Sequence, residues 1–316
     1  MRGVFLDAGS LHQSTLDMTP LEHNAITWKF YDSTPQDAVI QRIAESEIII
    51  SNKVLLDEKS LAAAARLKLI CIAATGTNNV DLEAAQRHGI TVCNVHGYAT
   101  PSVVEHVFAL LLALIRHVPE YQGSVHAGRW QKSIHFSFID YSIHELQGKV
   151  IGIVGYGELG QAVARVAEAF GMRVMIAERP GAAPRAGRVS LSDMLPTVDV
   201  LTLHCPLTAE TRGLIGAKEL QMLKRGAILI NTARGGIVDE LALSEVLRSR
   251  HLGGAGVDVL TQEPPIDNPL LSSDIPNLIV TPHIAWASRE SRQRLVNELA
   301  ANIQAFLQGK PRNVVT

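Results

Sequence analysis

The chain has 316 residues, beyond the size at which one hydrophobic core usually keeps growing, so two domains are expected. With 47% hydrophobic and 19% charged residues, 24 Gly and 14 Pro, it has neither a disordered nor a fibrous bias. A formal net charge of −2 argues against nucleic acid or an anionic membrane surface as a partner recognised through bulk charge, which leaves small molecules as the expected ligands.

The apolar stretch in MRGVFLDAGS is too short for a signal peptide, and the longest one, Val103 to Val118, carries Glu105, His106, Arg116 and His117, so a soluble cytoplasmic protein is expected. Short apolar runs then alternate with helical patterns: VFLD near Val4, EIIIS ending at Ser51, LKLICIAAT ending at Thr75 and ITVCNV ending at Val95. That rhythm predicts a small parallel-sheet domain over residues 1–99. Cys71 and Cys93 fall inside these runs and Cys205 in a later one; an odd count without metal-ligand spacing reads as reduced thiols, with no metal site.

A long helix is predicted behind Pro101, capped by Thr100, with Val103, Val107, Leu110, Leu111 and Leu114 on one face. An apolar face of that length points to a two-fold homodimer, burial within the chain being the alternative. A second α/β series, residues 100–286, opens with KVIGIVGYG and continues through RVMIAE, VDVLTLHCP, GAILINTAR, GGAGVDV and NLIVTPH, spaced as six strands of a Rossmann-type doubly wound sheet. A final amphipathic helix from about Ser288 to Leu307, with Leu295, Leu299, Ile303 and Phe306 on one side, is expected to return to the first domain, adding residues 287–316 and making it discontinuous.

The sharpest local signal is Gly155-Tyr156-Gly157-Glu158-Leu159-Gly160, directly behind the strand Val150 to Val154 and before the helical run QAVARVAEAF. Such a loop brings backbone N–H groups and a helix N-terminus to a dinucleotide diphosphate. Glu178, at the end of the next apolar run, is placed to accept hydrogen bonds from the adenosine ribose, which favours NAD; Arg179 beside it keeps NADP open, since a guanidinium there could stack on adenine or meet a phosphate.

Hydride transfer to a 2-keto acid needs a cation for the carboxylate, a proton donor at the keto oxygen and a group that keeps the donor protonated. Arg234, Glu263 and His283 stand just past three late strands, the side on which open α/β sheets bind ligands. Taken singly, each is as well explained as a surface charge or a satisfied side chain.

The ordered set VGYGELG, HCPLTAET, INTARGGIVDE, GVDVLTQEPP and TPHIAWAS resembles the D-isomer-specific 2-hydroxyacid dehydrogenase family, and ATGTNNVDL, TPSVVEHVFALLL and GRWQKS extend the likeness upstream. The resemblance implies that Arg234 binds substrate, that Glu263 pairs with His283, and that His283 is the acid/base. It also implies a smaller flavodoxin-like substrate domain, a cofactor lined by Cys205, Thr211 and Thr232 with Asp258 at the nicotinamide carboxamide, and a carboxylate-holding loop of Thr75, Gly76 and Thr77 with Asn52 nearby. Glu178 stands where NAD-preferring members often have Asp. Softer cues, SNKV, GRWQKS and the Trp of HIAWAS, are similar to the branch acting on D-glycerate, hydroxypyruvate or glyoxylate. Two alternatives stay open: a dinucleotide-sensing corepressor, and a family member acting on 3-phosphoglycerate, a phosphonate or formate. Trp130, Trp286, Phe136 and Phe138 are candidates to shape a dry substrate pocket.

Overall fold

The computed structural model describes residues 1–22, 26–183 and 185–316, and the chain divides into two compact units: Met1–Ala99 with Trp286–Thr316, and Thr100–Ala285. Trp286, placed by its sequence position at the end of the second domain, belongs to the first unit, where its ring meets Tyr98 edge-on with centroids 6.4 Å apart.

In the first unit, β1 (Arg2–Phe5), β2 (Thr27–Phe30), β3 (Ile48–Ser51), β4 (Leu69–Ile72) and β5 (Thr91–Cys93) form a parallel sheet in the order β2-β1-β3-β4-β5. This is the flavodoxin-like order. The pleat sends alternate side chains to opposite faces. Ile48, Ile50, Leu69 and Cys71 pack with Leu295, Leu299 and Ile303 of the helix Arg289–Leu307, while Ile49, Ile70 and Ile72 pack with Val39, Ile43 and Leu61 on the other face. Burial on both sides explains why β3 and β4 read as unbroken apolar runs. Strand β2 was not legible in the sequence: it is an edge strand whose TWKF segment is largely exposed, so it carries no apolar run. Cys71 and Cys93 are buried register partners on β4 and β5, and both thiols are free.

The second unit contains β6 (Val150–Val154), β7 (Arg173–Ile176), β8 (Val200–Leu203), β9 (Ile228–Asn231), β10 (Gly254–Val257) and β11 (Leu278–Val280), all parallel, in the order β11-β10-β9-β8-β6-β7. A single parallel bridge from Ala177 to Val189 reduces a further strand beyond β7 to one residue pair. Counting that bridge, the sheet follows the Rossmann order with one strand added at the far edge. The strand order reverses between β6 and β8, the position at which open α/β sheets bind their ligands.

The helix Thr100–Ile115 packs against β9, β10 and the helix Glu158–Ala169. Val103, Val107, Leu110, Leu111 and Leu114 are all buried, and so are Val104, Phe108 and Ile115. Its apolar stripe is therefore consumed within the chain, and the sequence argument for a dimer through this face does not hold. Thr100 is the first helical residue rather than a cap, and its hydroxyl donates to the Glu158 carboxylate at 2.6 Å. Among the described residues no single helix is long and apolar enough to cross a membrane.

Candidate active site

Every expected site residue of the second unit lies at the C-terminal ends of its strands. The loop after β6 turns sharply at Gly155, whose φ of +95° and whose approach to the backbone of His204 and Cys205 leave no space for a Cβ. Gly160 is equally constrained, since a Cβ there would lie 2.1 Å from the Gly155 carbonyl oxygen. Gly157 differs. It starts the helix Glu158–Ala169 with no side-chain cap, its φ is negative, and a Cβ would meet nothing within 4 Å. Internal packing does not require a glycine at that position; a diphosphate seated on the N–H groups of the first turn does. Leu159 is half-buried in that turn, and Glu158 offers its N–H while Thr100 holds its carboxylate.

Two further observations fit a nicotinamide dinucleotide. The Thr232 hydroxyl, just past β9, is buried and without a protein partner, and a buried hydroxyl left unpaired costs free energy unless a ligand meets it. Beyond β7, a cavity of about 320 Å³ is lined by Ala177, Glu178, Arg179, Arg188, Val189 and Leu191, of the size and place for an adenosine. The backbone of half-buried Cys205 lies against Gly155 where the strand order reverses. Thr211 departs from expectation: its hydroxyl donates to Pro206 O at 2.6 Å and accepts the Thr208 N–H at 2.7 Å, so it closes a local turn. Motif position alone could not reveal that commitment.

Arg234, Glu263 and His283 follow the neighbouring strands β9, β10 and β11; Glu263 and His283 pair directly, and Arg234 Nη1 donates to Ala233 O at 2.7 Å. Arg234 sits in a turn pinned by Asn231, whose side chain donates to Arg234 O and accepts the Ala233 N–H. The next residue, Gly235, packs so closely on the following loop that a Cβ would lie 2.0 Å from Leu260 O. That loop carries Glu263: Oε1 accepts the Leu260 N–H at 2.9 Å and Oε2 pairs with His283 Nδ1 at 2.6 Å. The turn bearing the guanidinium thus abuts the loop that orients the imidazole. With Nδ1 on the carboxylate, Nε2 is the ring nitrogen turned away from it.

His283 adopts a left-handed backbone, φ +56°, which a non-glycine side chain rarely accepts. Asp258 provides the restraint. Its carboxylate, 1% exposed, accepts the Thr281 hydroxyl at 2.6 Å and the N–H groups of Ile284 and Ala285 at 2.9 and 2.8 Å, while its carbonyl accepts the His283 N–H. His106 Nε2 extends the brace to Thr281 Oγ1 at 3.0 Å. Asp258, expected at the nicotinamide, therefore spends its carboxylate on the histidine-bearing segment. Thr281 and His106 were not anticipated, because no sequence spacing relates them.

In the first unit, Asn52 follows β3 and Thr75, Gly76 and Thr77 follow the adjacent β4, so the sheet places them at one edge. Asp7, unanticipated, orders this edge by accepting the N–H groups of Asn52 and Lys53, and burial raises its carboxyl above the usual range. Asn52 Nδ2 donates to Ser10 Oγ at 3.0 Å, and the Thr75 hydroxyl donates to Val95 O at 2.7 Å. Their side chains are thus committed locally, leaving backbone groups as the means of holding an anion. Of the four aromatic candidates, Trp130 and Phe136 are exposed, with Trp130 Nε1 donating to Phe136 O at 2.9 Å, Phe138 packs on Tyr121, and Trp286 belongs to the first unit. Sequence cannot aim rings that lie in a segment without regular periodicity.

A doubly wound sheet with a glycine loop, a ribose-side acid and a histidine–glutamate pair defines a dinucleotide-dependent oxidoreductase. Residues 108–285 match the model of the D-isomer specific 2-hydroxyacid dehydrogenase NAD binding domain. The chain is 47% identical over 315 residues to a glycerate dehydrogenase of Methylorubrum extorquens, covering 99% of this chain and 98% of that one. It is 37% identical to a hydroxypyruvate reductase of Blautia hydrogenotrophica, covering 100% and 99%. Among solved structures, an NADPH-dependent glyoxylate/hydroxypyruvate reductase from Sinorhizobium meliloti, in complex with NADP and malonate, aligns with a TM-score of 0.83 at 28% identity over 100% and 96% of the two chains. The chain belongs to the D-isomer-specific 2-hydroxyacid dehydrogenase family. It is an NAD-dependent oxidoreductase that interconverts small 2-hydroxy and 2-keto acids.

Proposed function

We propose that the chain reduces hydroxypyruvate or glyoxylate, and oxidises D-glycerate in reverse, with His283 as acid/base, Glu263 as its orienting partner and Arg234 as the substrate clamp. The observation that carries this is the 2.6 Å pair of His283 Nδ1 and Glu263 on the loop that abuts the Arg234 turn. Bound NADH supplies the hydride that reaches C2. His283 Nε2 gives its proton to the keto oxygen, Glu263 stabilises the imidazolium that does so, and Arg234 holds the carboxylate through a bidentate guanidinium. The turn Thr75-Gly76-Thr77 carries backbone N–H groups of the kind that hold a carboxylate. Names of the 47% and 37% identical relatives support the choice of a three-carbon or two-carbon acid. Purified protein should consume NADH with hydroxypyruvate and glyoxylate; no turnover across these and other short 2-keto acids would defeat the assignment.

A homodimer and a cytoplasmic location belong to the same proposal. The segment 130–143 exposes Ile134 (92%), Phe136 (92%) and Ile139 (78%), apolar surface suited to a second copy, and the free cysteines fit a reducing compartment. Light scattering that gives the mass of a monomer at micromolar concentration would remove the dimer.

A further inference from the structure

The loop that carries Glu263 has little apolar packing to fix it. Leu260 and Leu270 are buried at its two ends, while residues 261–267 between them are exposed, Ile266 at 85%. A segment with few buried contacts opens easily, so an acid on it is placed only as well as its polar ties allow. Three of those ties end on one carboxylate, that of Glu240. Oε1 accepts the Thr261 N–H at 2.6 Å and the Thr261 hydroxyl at 2.9 Å, and Oε2 accepts Asn268 Nδ2 at 2.6 Å. Thr261 precedes Glu263 in the loop and Asn268 follows it, so the two oxygens grip the segment on both sides of the acid.

Glu240 is the first residue of the helix Glu240–Arg248, an end at which the helix dipole favours an anion. Capping of that helix falls to its neighbour, since the Asp239 side chain accepts the Ala242 N–H at 3.0 Å, and the Glu240 carboxylate is left for the loop. The chain leading from Arg234 to this helix passes through Gly235, where a Cβ would lie 2.4 Å from Thr261 N. Consecutive N–H groups are thereby divided between two acids: that of Leu260 goes to Glu263 Oε1 at 2.9 Å, and that of Thr261 goes to Glu240. Displacing the second displaces the first, and with it the carboxylate that meets His283 Nδ1 at 2.6 Å.

We propose that Glu240 is a positioning residue for the reaction, its carboxylate clamping the loop at Thr261 and Asn268 so that Glu263 is held on His283. Resting on the acid/base pairing proposed for Glu263 and His283, this role passes entirely through Glu263 and touches neither substrate nor cofactor. The clamp needs both oxygens of an ionised group, because hydrogen bonds to a charged acceptor are the strong ones and a neutral amide would turn an NH2 towards the Asn268 donor.

A double-mutant cycle with Glu263 tests this, using steady-state reduction of hydroxypyruvate by NADH and fluorescence titration of NADH. E240A should lower kcat about tenfold while NADH affinity stays within about twofold of wild type. E240Q, which keeps an oxygen for Thr261, should fall between E240A and wild type. In an E263A background no carboxylate remains to be positioned, so adding E240A should cost less than about twofold more. A further loss there as large as in the wild-type background overturns the proposal, as does a kcat for E240A within about twofold of wild type. Should E240A fail to fold, E240Q enters the same cycle, and an equal loss with and without Glu263 overturns the proposal in the same way. Wild-type kcat in E263A alone overturns the underlying pairing instead.

Discussion

Thr281→Val removes one hydroxyl and nearly conserves shape, yet it is expected to slow turnover about tenfold. The hydroxyl donates to the buried Asp258 carboxylate at 2.6 Å and sits 3.0 Å from His106 Nε2. A hydrogen bond to a charged group contributes ~1.5–3 kcal/mol. The left-handed backbone at His283 costs ~1–3 kcal/mol, to be met by the surrounding restraints. Losing the Thr281 bond takes from the brace an amount comparable to that strain. His283 should then spend most of its time relaxed away from the reactive geometry, and ~1.4 kcal/mol lost corresponds to a tenfold fall in rate. The assay is steady-state NADH oxidation with hydroxypyruvate, paired with NADH affinity from fluorescence titration. The expected pattern is a lower kcat with NADH affinity within about twofold of wild type. A kcat within twofold of wild type would refute the bracing role, and a parallel loss of NADH affinity would assign Asp258 and Thr281 to the cofactor instead.

Three other outcomes follow from the same geometry. His283→Ala should lower kcat by ~10²–10⁴-fold, the usual contribution of general acid/base catalysis, while NADH still quenches protein fluorescence; loss of NADH binding would mark the histidine as structural. Gly157→Val should abolish NADH binding yet leave the circular dichroism spectrum and melting temperature near wild type, since the added side chain meets open space in the protein; unimpaired NADH binding would dismiss the diphosphate cradle. Burial pushes the His204 imidazole down to about 4 from 6.5. The unfolded chain therefore takes up a proton below pH 6.5 that the native site refuses, so stability falls as pH drops from 6.5 towards 4, by about 3 kcal/mol in all. His204→Gln should flatten that part of the urea-denaturation profile, and an unchanged pH slope would contradict the assignment.

Much of the architecture was legible because burial on both faces of a parallel sheet leaves continuous apolar runs, as in EIIIS and VIGIV, and each run ends where its functional side chain emerges. The glycine loop was legible for a stricter reason: Gly155 turns with a φ of +95° and Gly160 would press a Cβ on the Gly155 carbonyl, so both are required by the loop itself. Strand β2 escaped because an exposed edge strand has no apolar signature. The long helix misled because an apolar stripe says that a face is covered without saying by what, and here β9, β10 and a neighbouring helix cover it.

From the linear order alone came the alternation of strands and helices, the dinucleotide turn and the identity of the arginine, glutamate and histidine at strand ends. Tertiary structure decided how those side chains are held. Asp258 reaches Thr281 across 23 positions and Glu263 reaches His283 across 20, and Arg185 meets Glu178 through a loop with no repeating pattern. Periodicity reports the average side a residue faces; the partner of a polar group is a matter of a few tenths of an ångström, set only when the strands have paired and the loops have closed over them.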